Sequence, residues 1–221
     1  MFQEIKALVI KDFRLEWRNK YALNGMFFYL VSTIFLCYVS FKVKVDSLNP
    51  IVWNTLFWII LLFTAINAIA KGFSQEQQAR NLYYNQICSP ESVILSKLLY
   101  HFVLMLSLGI VGIFIYSLLL QNPVVDMWQY LFSVAMGALG FSGILTLISG
   151  IAAKAANSGS LMALLSFPVI IPQILMLNKL SKNAMDGLAW SHSYDEILTL
   201  IGIDAIVLVL SYILFPYLWR S

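Results

Sequence analysis

The chain has 221 residues, of which 60% are hydrophobic and only 11% are charged, and its formal net charge at pH 7 is +3. A soluble domain usually carries about twice that charged fraction, so the composition excludes an ordinary soluble protein. The small positive charge is also no basis for nucleic-acid binding. A mean hydropathy of +0.80 indicates instead a membrane protein.

Residues 1–20 predict an amphipathic helix in the cytoplasmic interface of a membrane, in contact with lipid. Apolar and charged side chains recur there at helical spacing and occupy opposite faces. The apolar face comprises Phe2, Ile5, Val9, Phe13 and Trp17, and the charged face comprises Glu4, Lys11, Arg14 and Arg18. A positively charged topology anchor explains the same residues equally well.

Six apolar runs of about 20 residues follow, each long enough to cross a hydrocarbon core of about 30 Å. Since none alternates like a barrel strand, all six are predicted to be helices. The fold class is therefore an all-α polytopic membrane protein, with one membrane domain over residues 1–221 and its six-helix bundle at 21–219. The runs are 21–41, 51–70, 98–120, 127–151, 159–178 and 197–219.

The distribution of basic residues predicts that both termini are cytoplasmic. Four of the 14 Lys and Arg residues, Lys42, Lys44, Lys179 and Lys182, fall on one side of the six spans, and the other ten fall on the side of the termini. Cytoplasmic loops carry the excess of Lys and Arg. The segment 73–97, between spans two and three, is therefore also cytoplasmic.

That segment is the longest polar interruption of the apolar sequence, and we predict a coupling helix within it. A helix would place Glu76 and Arg80 one turn apart on one face, with two tyrosines available to fill a groove. Such a protrusion is what a transport permease offers to a soluble motor, although an ordinary solvated loop helix fits the same pattern. The candidate coupling residues are Glu76, Arg80, Tyr83, Tyr84, Pro90 and Lys97.

The fourth and fifth spans carry glycine and proline patterns. Gly137, Gly140 and Gly143 allow close approach of helices, either within this chain or at a subunit interface. Pro168 and Pro172 remove backbone donors four residues apart, so we expect the fifth helix to break or kink there. A hinge or cavity-lining role and a static kink are both compatible with this pair.

Asp204 is the one acidic residue well inside a span. A carboxylate at that depth costs on the order of 2.5–3.5 kcal/mol, so the side chain should face protein or water. Alternatively, it is protonated and hydrogen-bonded to a polar neighbour such as Thr199, Ser211 or Asn54.

No enzyme motif is present. The sequence has no P-loop, no His-Glu-x-x-His, no Cys-x-x-Cys and no Gly-x-Ser-x-Gly. The predicted topology separates His101 from His192, and Cys37 from Cys88, so we expect no catalytic residues, no metal site and no disulfide. His192 is a possible haem contact, because imidazole is a common axial ligand, but an exposed loop histidine is the simpler interpretation.

The pattern from Glu76 to Lys97, with Ser89-Pro90 before a span, resembles the coupling segment of ABC-2-type export permeases. The whole chain resembles more specifically the CcmB family of cytochrome c maturation haem exporters. The sequences Phe-Pro-Val-Ile-Ile-Pro-Gln at 167–173 and Gly-Ala-Leu-Gly-Phe-Ser-Gly at 137–143 carry this resemblance. One departure is Ala79-Arg80-Asn81, where such segments usually have a glycine.

The resemblance implies a multi-pass permease subunit of the bacterial inner membrane that binds no cofactor of its own. It implies a cytoplasmic ABC ATPase subunit that binds ATP, haem-handling membrane proteins and a periplasmic haem chaperone as partners. Haem would be the transported or handled substrate, either exported or released with the loaded chaperone. An ABC-2 permease for another amphiphile, such as a lipid or polyketide, and an ATP-independent scaffold are the alternatives.

Overall fold

The computed structural model of the protein describes residues 2–18, 20–42, 48–69, 88–153 and 158–220. These residues form seven α-helices and one short 3-10 helix, with no strand among them. The helices are α1 (Phe2–Arg18), α2 (Lys20–Lys42), α3 (Pro50–Ile69), α4 (Pro90–Leu120), α5 (Met127–Ala152), α6 (Ser158–Met185) and α7 (Tyr194–Arg220), and the 3-10 helix spans Trp190–Ser193.

Within the described ranges, six helical segments are long and apolar enough to cross a membrane, as the sequence predicted. They are Asn24–Phe41, Pro50–Ile69, Pro90–Leu120, Met127–Ala152, Leu164–Met185 and Trp190–Leu218. The prediction of an all-helical polytopic membrane protein is therefore confirmed. Because successive spans alternate in direction, α1 lies at the end of the bundle where α4 begins, which we call the α1 end.

Helix α4 is longer than the sequence predicted. Its apolar run was placed at 98–120, but the helix begins at Pro90 and has 31 residues. At 1.5 Å per residue it is about 46 Å long, which exceeds a hydrocarbon core of about 30 Å. Proline suits the first turn of a helix, where its missing N–H would have no partner. The extra turns at the α1 end carry Ser92 and Lys97.

At the opposite end, Asp126 both caps α5 and connects it to α6. Its carboxylate accepts hydrogen bonds from the backbone N–H groups of Trp128 (3.0 Å) and Gln129 (3.1 Å). Its own N–H donates to the carbonyl of Ala184 near the end of α6, at 3.0 Å. Gly187 turns the chain just beyond α6 with a φ of +67°, a conformation that glycine adopts without steric cost.

Helix α5 is the centre of the bundle and packs against α3, α4, α6 and α7. The approach of α3 requires a glycine on α5, since a Cβ on Gly137 would lie 2.5 Å from the Trp58 ring. The small residues of span four therefore serve packing within this chain. The Trp58 indole N–H also donates to the Ser181 hydroxyl on α6, at 2.8 Å.

A polar hub lies within the bundle around Asn54 of α3. Its amide nitrogen donates to the backbone carbonyl of Asn178 on α6 at 3.1 Å, and its amide oxygen accepts from the Tyr130 hydroxyl of α5 at 3.1 Å. Beside it, the Tyr116 hydroxyl of α4 donates to the carbonyl of Trp53 at 3.0 Å. These buried bonds join α3 to three other spans and fix their relative positions.

Candidate functional site

Helix α1 is fastened to the first turn of α4 through Glu4. The Ser92 hydroxyl donates to Oε2 of Glu4 at 2.9 Å, and the Ser89 hydroxyl approaches the same oxygen at 3.4 Å. Ser89 also donates to Ser92 at 2.7 Å. The hydrogen bond from Ser92 is the main reason that the pKa of the Glu4 carboxyl is lowered. We call this contact, together with the packing beneath it, the α1–α4 junction.

Apolar packing continues the junction along α1. Leu8 is buried in a small cluster with Val93 and Ile94 of α4 and Phe215 of α7. One helical turn and a half further on, the Phe13 ring meets the Tyr100 ring edge to face, with centroids 5.1 Å apart. The α1 end of the bundle is therefore a three-helix contact among α1, α4 and α7.

The face of α1 that docks overlaps the predicted apolar face only in part, at Phe13. Glu4 and Leu8 face α4, whereas Phe2 and Trp17 of the predicted apolar face are 87% and 76% exposed. The structure has a helix over Phe2–Arg18. Its exposed aromatic residues remain available to a membrane interface, which stays a prediction.

Charged groups from α1 and α4 meet near Tyr100. Partial burial raises the pKa of the Glu16 carboxyl, and the neighbouring Asp12 adds to the shift. The Tyr100 hydroxyl and the Lys97 ammonium oppose it, because both favour the ionised carboxylate. Lys97 thus faces α1 from the second turn of α4.

This position corrects the prediction for Lys97. The side chain is only 6% exposed, so it has no open surface to offer a motor protein. Of the other candidate coupling residues, Pro90 is the first residue of α4 and lies beside Ser89 in the junction. Glu76, Arg80, Tyr83 and Tyr84 lie outside the described residues.

Helix α6 continues without a break through the paired prolines, over Ser158–Met185, and a kink at this pair stays a prediction. Pro168 and Pro172 are four residues apart and so share a face of α6, and both are exposed on the outside of the bundle. The inward face instead carries residues such as Ile170 and Gln173, which are fully buried. Both prolines therefore lie away from the described core, and their role in a hinge or a cavity stays a prediction.

Asp204 faces protein, but none of the three expected partners contacts it. Its carboxyl oxygen Oδ1 accepts a 3.1 Å hydrogen bond from the Gln173 amide nitrogen of α6. Thr199 and Ser211 donate instead to backbone carbonyls one turn earlier on their own helix, and Asn54 belongs to the hub. Gln173 is the functional neighbour that sequence reasoning missed, although it lay within the motif at 167–173.

The two histidines lie far from one another. His192 is exposed in the 3-10 helix at the end opposite α1, so it is accessible to a partner or ligand. His101 is buried in α4 and its Nδ1 lies 2.7 Å from the Thr146 hydroxyl of α5. In the part of the chain that the structure describes, no three His, Cys, Asp or Glu side chains form a cluster that could hold a metal ion.

A second buried polar group closes the end of the bundle opposite α1. The Ser193 hydroxyl accepts from the amide nitrogens of Gln129 on α5 (2.8 Å) and Asn183 on α6 (3.0 Å). Together with the Asp126 bond to Ala184, this group joins the ends of α5, α6 and α7. In the sequence, this group is indicated only by the spacing of polar residues at 178, 181 and 183, near the end of α6.

Comparison with protein families gives one match of nearly full length. The family described as CcmB protein matches residues 3–217 of the chain. No curated protein and no solved structure matches it. The family match covers α1 through α7, and so includes the junction, the hub and the Gln173–Asp204 contact.

Proposed function

Because this chain belongs to the CcmB protein family, and is thus a membrane component of a haem-exporting ABC system of cytochrome c maturation, we propose that it is the permease subunit that receives work from a cytoplasmic ATPase. ATP would be hydrolysed by that partner. The work would drive export of haem, or release of a haem-loaded periplasmic chaperone. The chain would lie in a bacterial inner membrane with its α1 end in the cytoplasm.

The observation that supports coupling is the attachment of α1 to the start of α4. The segment 73–97 returns into the bundle at Ser89-Pro90, where the Glu4 bonds to Ser92 and Ser89 hold α1. A force applied to that segment therefore reaches α1 and α4 together. In this proposal the motor contacts are Glu76, Arg80, Tyr83 and Tyr84.

Helix α4 is suited to carry such a force across the membrane. It is about 46 Å long and packs against α1, α2, α3, α5 and α7. Contacts such as His101 with Thr146 tie it to α5 within the bundle. Movement of α4 would reach α6 through α5, and Pro168 and Pro172 would let α6 bend.

Helix α1 offers the motor a second surface. A cavity of about 510 Å³ opens beside it and is lined by Ala7, Ile10, Lys11, Arg14, Leu15 and Arg18. Its basic and apolar lining suits an acidic, partly apolar segment of a partner protein. At the opposite end, exposed His192 is available to haem or to the haem-handling proteins.

The decisive experiment deletes the gene, assays c-type cytochromes and then complements with variants. We expect loss of covalent haem in c-type cytochromes, rescue by the natural sequence, and poor rescue by Glu76→Lys or by deletion of residues 75–85. Gln3→Ala is a matched control, because Gln3 is exposed on α1 next to Glu4. Normal c-type cytochromes in the deletion strain would overturn the haem function and favour another amphiphile.

Co-purification separates a driven permease from a scaffold. An ABC ATPase should co-purify with the natural chain and should be lost with Glu76→Lys, while Gln3→Ala retains it. If cytochrome maturation required the protein but no ATPase accompanied it, the chain would be an ATP-independent scaffold.

A further inference from the structure

The contact between Asp204 and Gln173 leaves two buried oxygens without a hydrogen-bond donor. The Gln173 amide nitrogen bonds to Oδ1 of Asp204, but Oδ2 of Asp204 and Oε1 of Gln173 have no partner among the described residues. Asp204 is 4% exposed and Gln173 is fully buried. Buried polar atoms are almost always satisfied, so this pair of orphan oxygens requires an explanation.

Among the described residues, no ion pair compensates a charge on Asp204. Helix α5 contributes Gly140 to the surroundings of the pair, and helix α6 contributes Gln173. A Cβ on Gly140 would lie 1.9 Å from the Gln173 amide nitrogen and 2.9 Å from Oδ1 of Asp204. The gap left by this glycine is filled by the two polar side chains.

The pair also lies deep in the membrane-spanning region. Asp204 is ten residues from the start of α7 at Tyr194, which is about 15 Å along the helix, or half of a hydrocarbon core. Gln173 is twelve residues, or about 18 Å, from the end of α6 at Met185. An ionised carboxylate at such a depth is strongly disfavoured without a cation or several donors.

One proton on Asp204 would satisfy both orphan oxygens. An acid and a primary amide can form a cyclic pair, in which the amide N–H donates to the acid carbonyl and the acid O–H donates to the amide oxygen. The first of these two bonds is present at 3.1 Å. In the second, Oδ2 would carry a hydrogen and donate it to Oε1 of Gln173, whereas the ionised form would leave two acceptors facing apolar surroundings.

We propose that Asp204 is a buried proton-binding site, whose carboxylic acid donates from Oδ2 to Oε1 of Gln173 and so joins α7 to α6 by a cyclic acid–amide pair. The site is separate from the coupling surface and does not depend on the identity of the transported substrate. Binding or loss of this proton changes only the contact between α6 and α7 beside Gly140.

Infrared spectroscopy of the purified full-length chain in lipid nanodiscs at neutral pH tests the proposal directly. The carbonyl stretch of a protonated carboxylic acid should be present in the natural protein and absent from Asp204→Asn. Asp195→Asn, which removes an exposed carboxyl from the first turn of α7, should retain the band. Uniform labelling with ¹³C-aspartate should shift the same band in the natural sequence, which needs no variant to fold. Absence of an acid band that shifts with this label would overturn the proposal.

Paired substitutions test the cyclic bond. Asp204→Asn keeps a donor and an acceptor in place and should leave the thermal midpoint nearly unchanged, whereas Asp204→Leu and Gln173→Met should each lower it by about 3 °C. The double variant Asp204→Asn with Gln173→Glu should have the thermal midpoint of the natural protein, since it only exchanges the positions of the acid and the amide. If Asp204→Asn were as damaging as Asp204→Leu, an ionised carboxylate would be required and the proposal would fail.

Discussion

Ser92 donates a 2.9 Å hydrogen bond to Glu4 across 88 residues of sequence, and this bond fastens the N-terminal helix to the first turn of α4. Along the chain, α1 precedes the first span, whereas α4 begins after the second. In the proposed function, a force on the segment 73–97 would therefore reach both helices.

Ser92→Ala should loosen α1 without unfolding the bundle. The change removes the shorter of the two bonds to Glu4, while Leu8 and Phe13 keep their packing. We expect faster hydrogen exchange in residues 2–18 and unchanged exchange in α5, measured by mass spectrometry. Ser107→Ala is the control, because Ser107 is exposed and donates to the carbonyl of Leu104 within α4. Equal exchange in α1 for both variants would show that Ser92 does not hold this helix.

Docking of α1 should weaken in acid. The Ser92 bond lowers the pKa of Glu4 below its ordinary value of 4.5. The docked state therefore binds the Glu4 proton less tightly than the undocked state. The contribution of Glu4 to docking is complete above about pH 4.5 and is lost as the pH falls through the lower pKa of the docked state. In a background without native cysteines, the distance between spin labels at Gln3 and Ser107 should broaden over that range. Glu4→Gln should remove this pH dependence, and a broadening that persisted in Glu4→Gln would assign it to another group.

Gly137→Ala should destabilise the bundle. The added Cβ would lie 2.5 Å from the buried Trp58 ring, and overpacking of this kind costs about 1–3 kcal/mol. Thermal unfolding in detergent would measure the loss. The control is Gly25→Ala in α2, where an added Cβ meets nothing within 4 Å, so the better helix propensity should be neutral or stabilising. Equal midpoints for the two variants would contradict the close approach of α3 and α5.

Asn54→Leu should break the polar hub. It would leave the Tyr130 hydroxyl without its acceptor and remove the bond to the Asn178 carbonyl, at a cost of about 1–3 kcal/mol. Asn67→Leu, on the exposed side of the same helix, should change stability by less than about 0.5 kcal/mol. Chemical denaturation of both variants would show whether Asn54 has the greater effect.

The proposed orientation predicts opposite accessibility for two positions. A cysteine replacing Ser191, exposed beside His192, should react with a membrane-impermeant maleimide in intact spheroplasts. A cysteine replacing Tyr83 in the coupling segment should react only after permeabilisation. The reversed pattern would place the coupling segment outside the cytoplasm and remove the proposed motor contact.

The number and type of spans were predictable because hydropathy over about 20 residues is a property of the local sequence. The start of α4 was not. Glu91 and Lys97 interrupt the apolar run there, and the added turns are buried by packing against α1 and Phe215 of α7. Local sequence likewise identified Asp204 as costly to bury, but its partner depended on the relative register of α6 and α7. Gln173 therefore emerged only from the packed helices.

The prediction for the prolines was limited in the same way, because local sequence does not show which side of α6 packs against α5. Missing backbone donors indicated a disturbed helix, yet the two rings fall on the exposed face of α6 and the helix continues past both. The residues of α6 that pack against α5 determine which way its two prolines face. The glycine pattern was more informative, because close approach needs no knowledge of the partner beyond its presence.

The bonds at the end opposite α1 restrict how a pathway can open. Asp126 is bonded to Ala184, and Gln129 and Asn183 share Ser193, so the far ends of α5 and α6 are tethered. With a fixed pivot there, motion entering at α1 swings the near ends of these helices apart most. In the proposed transport role, separation of α5 and α6 at the far end would require these hydrogen bonds to break first.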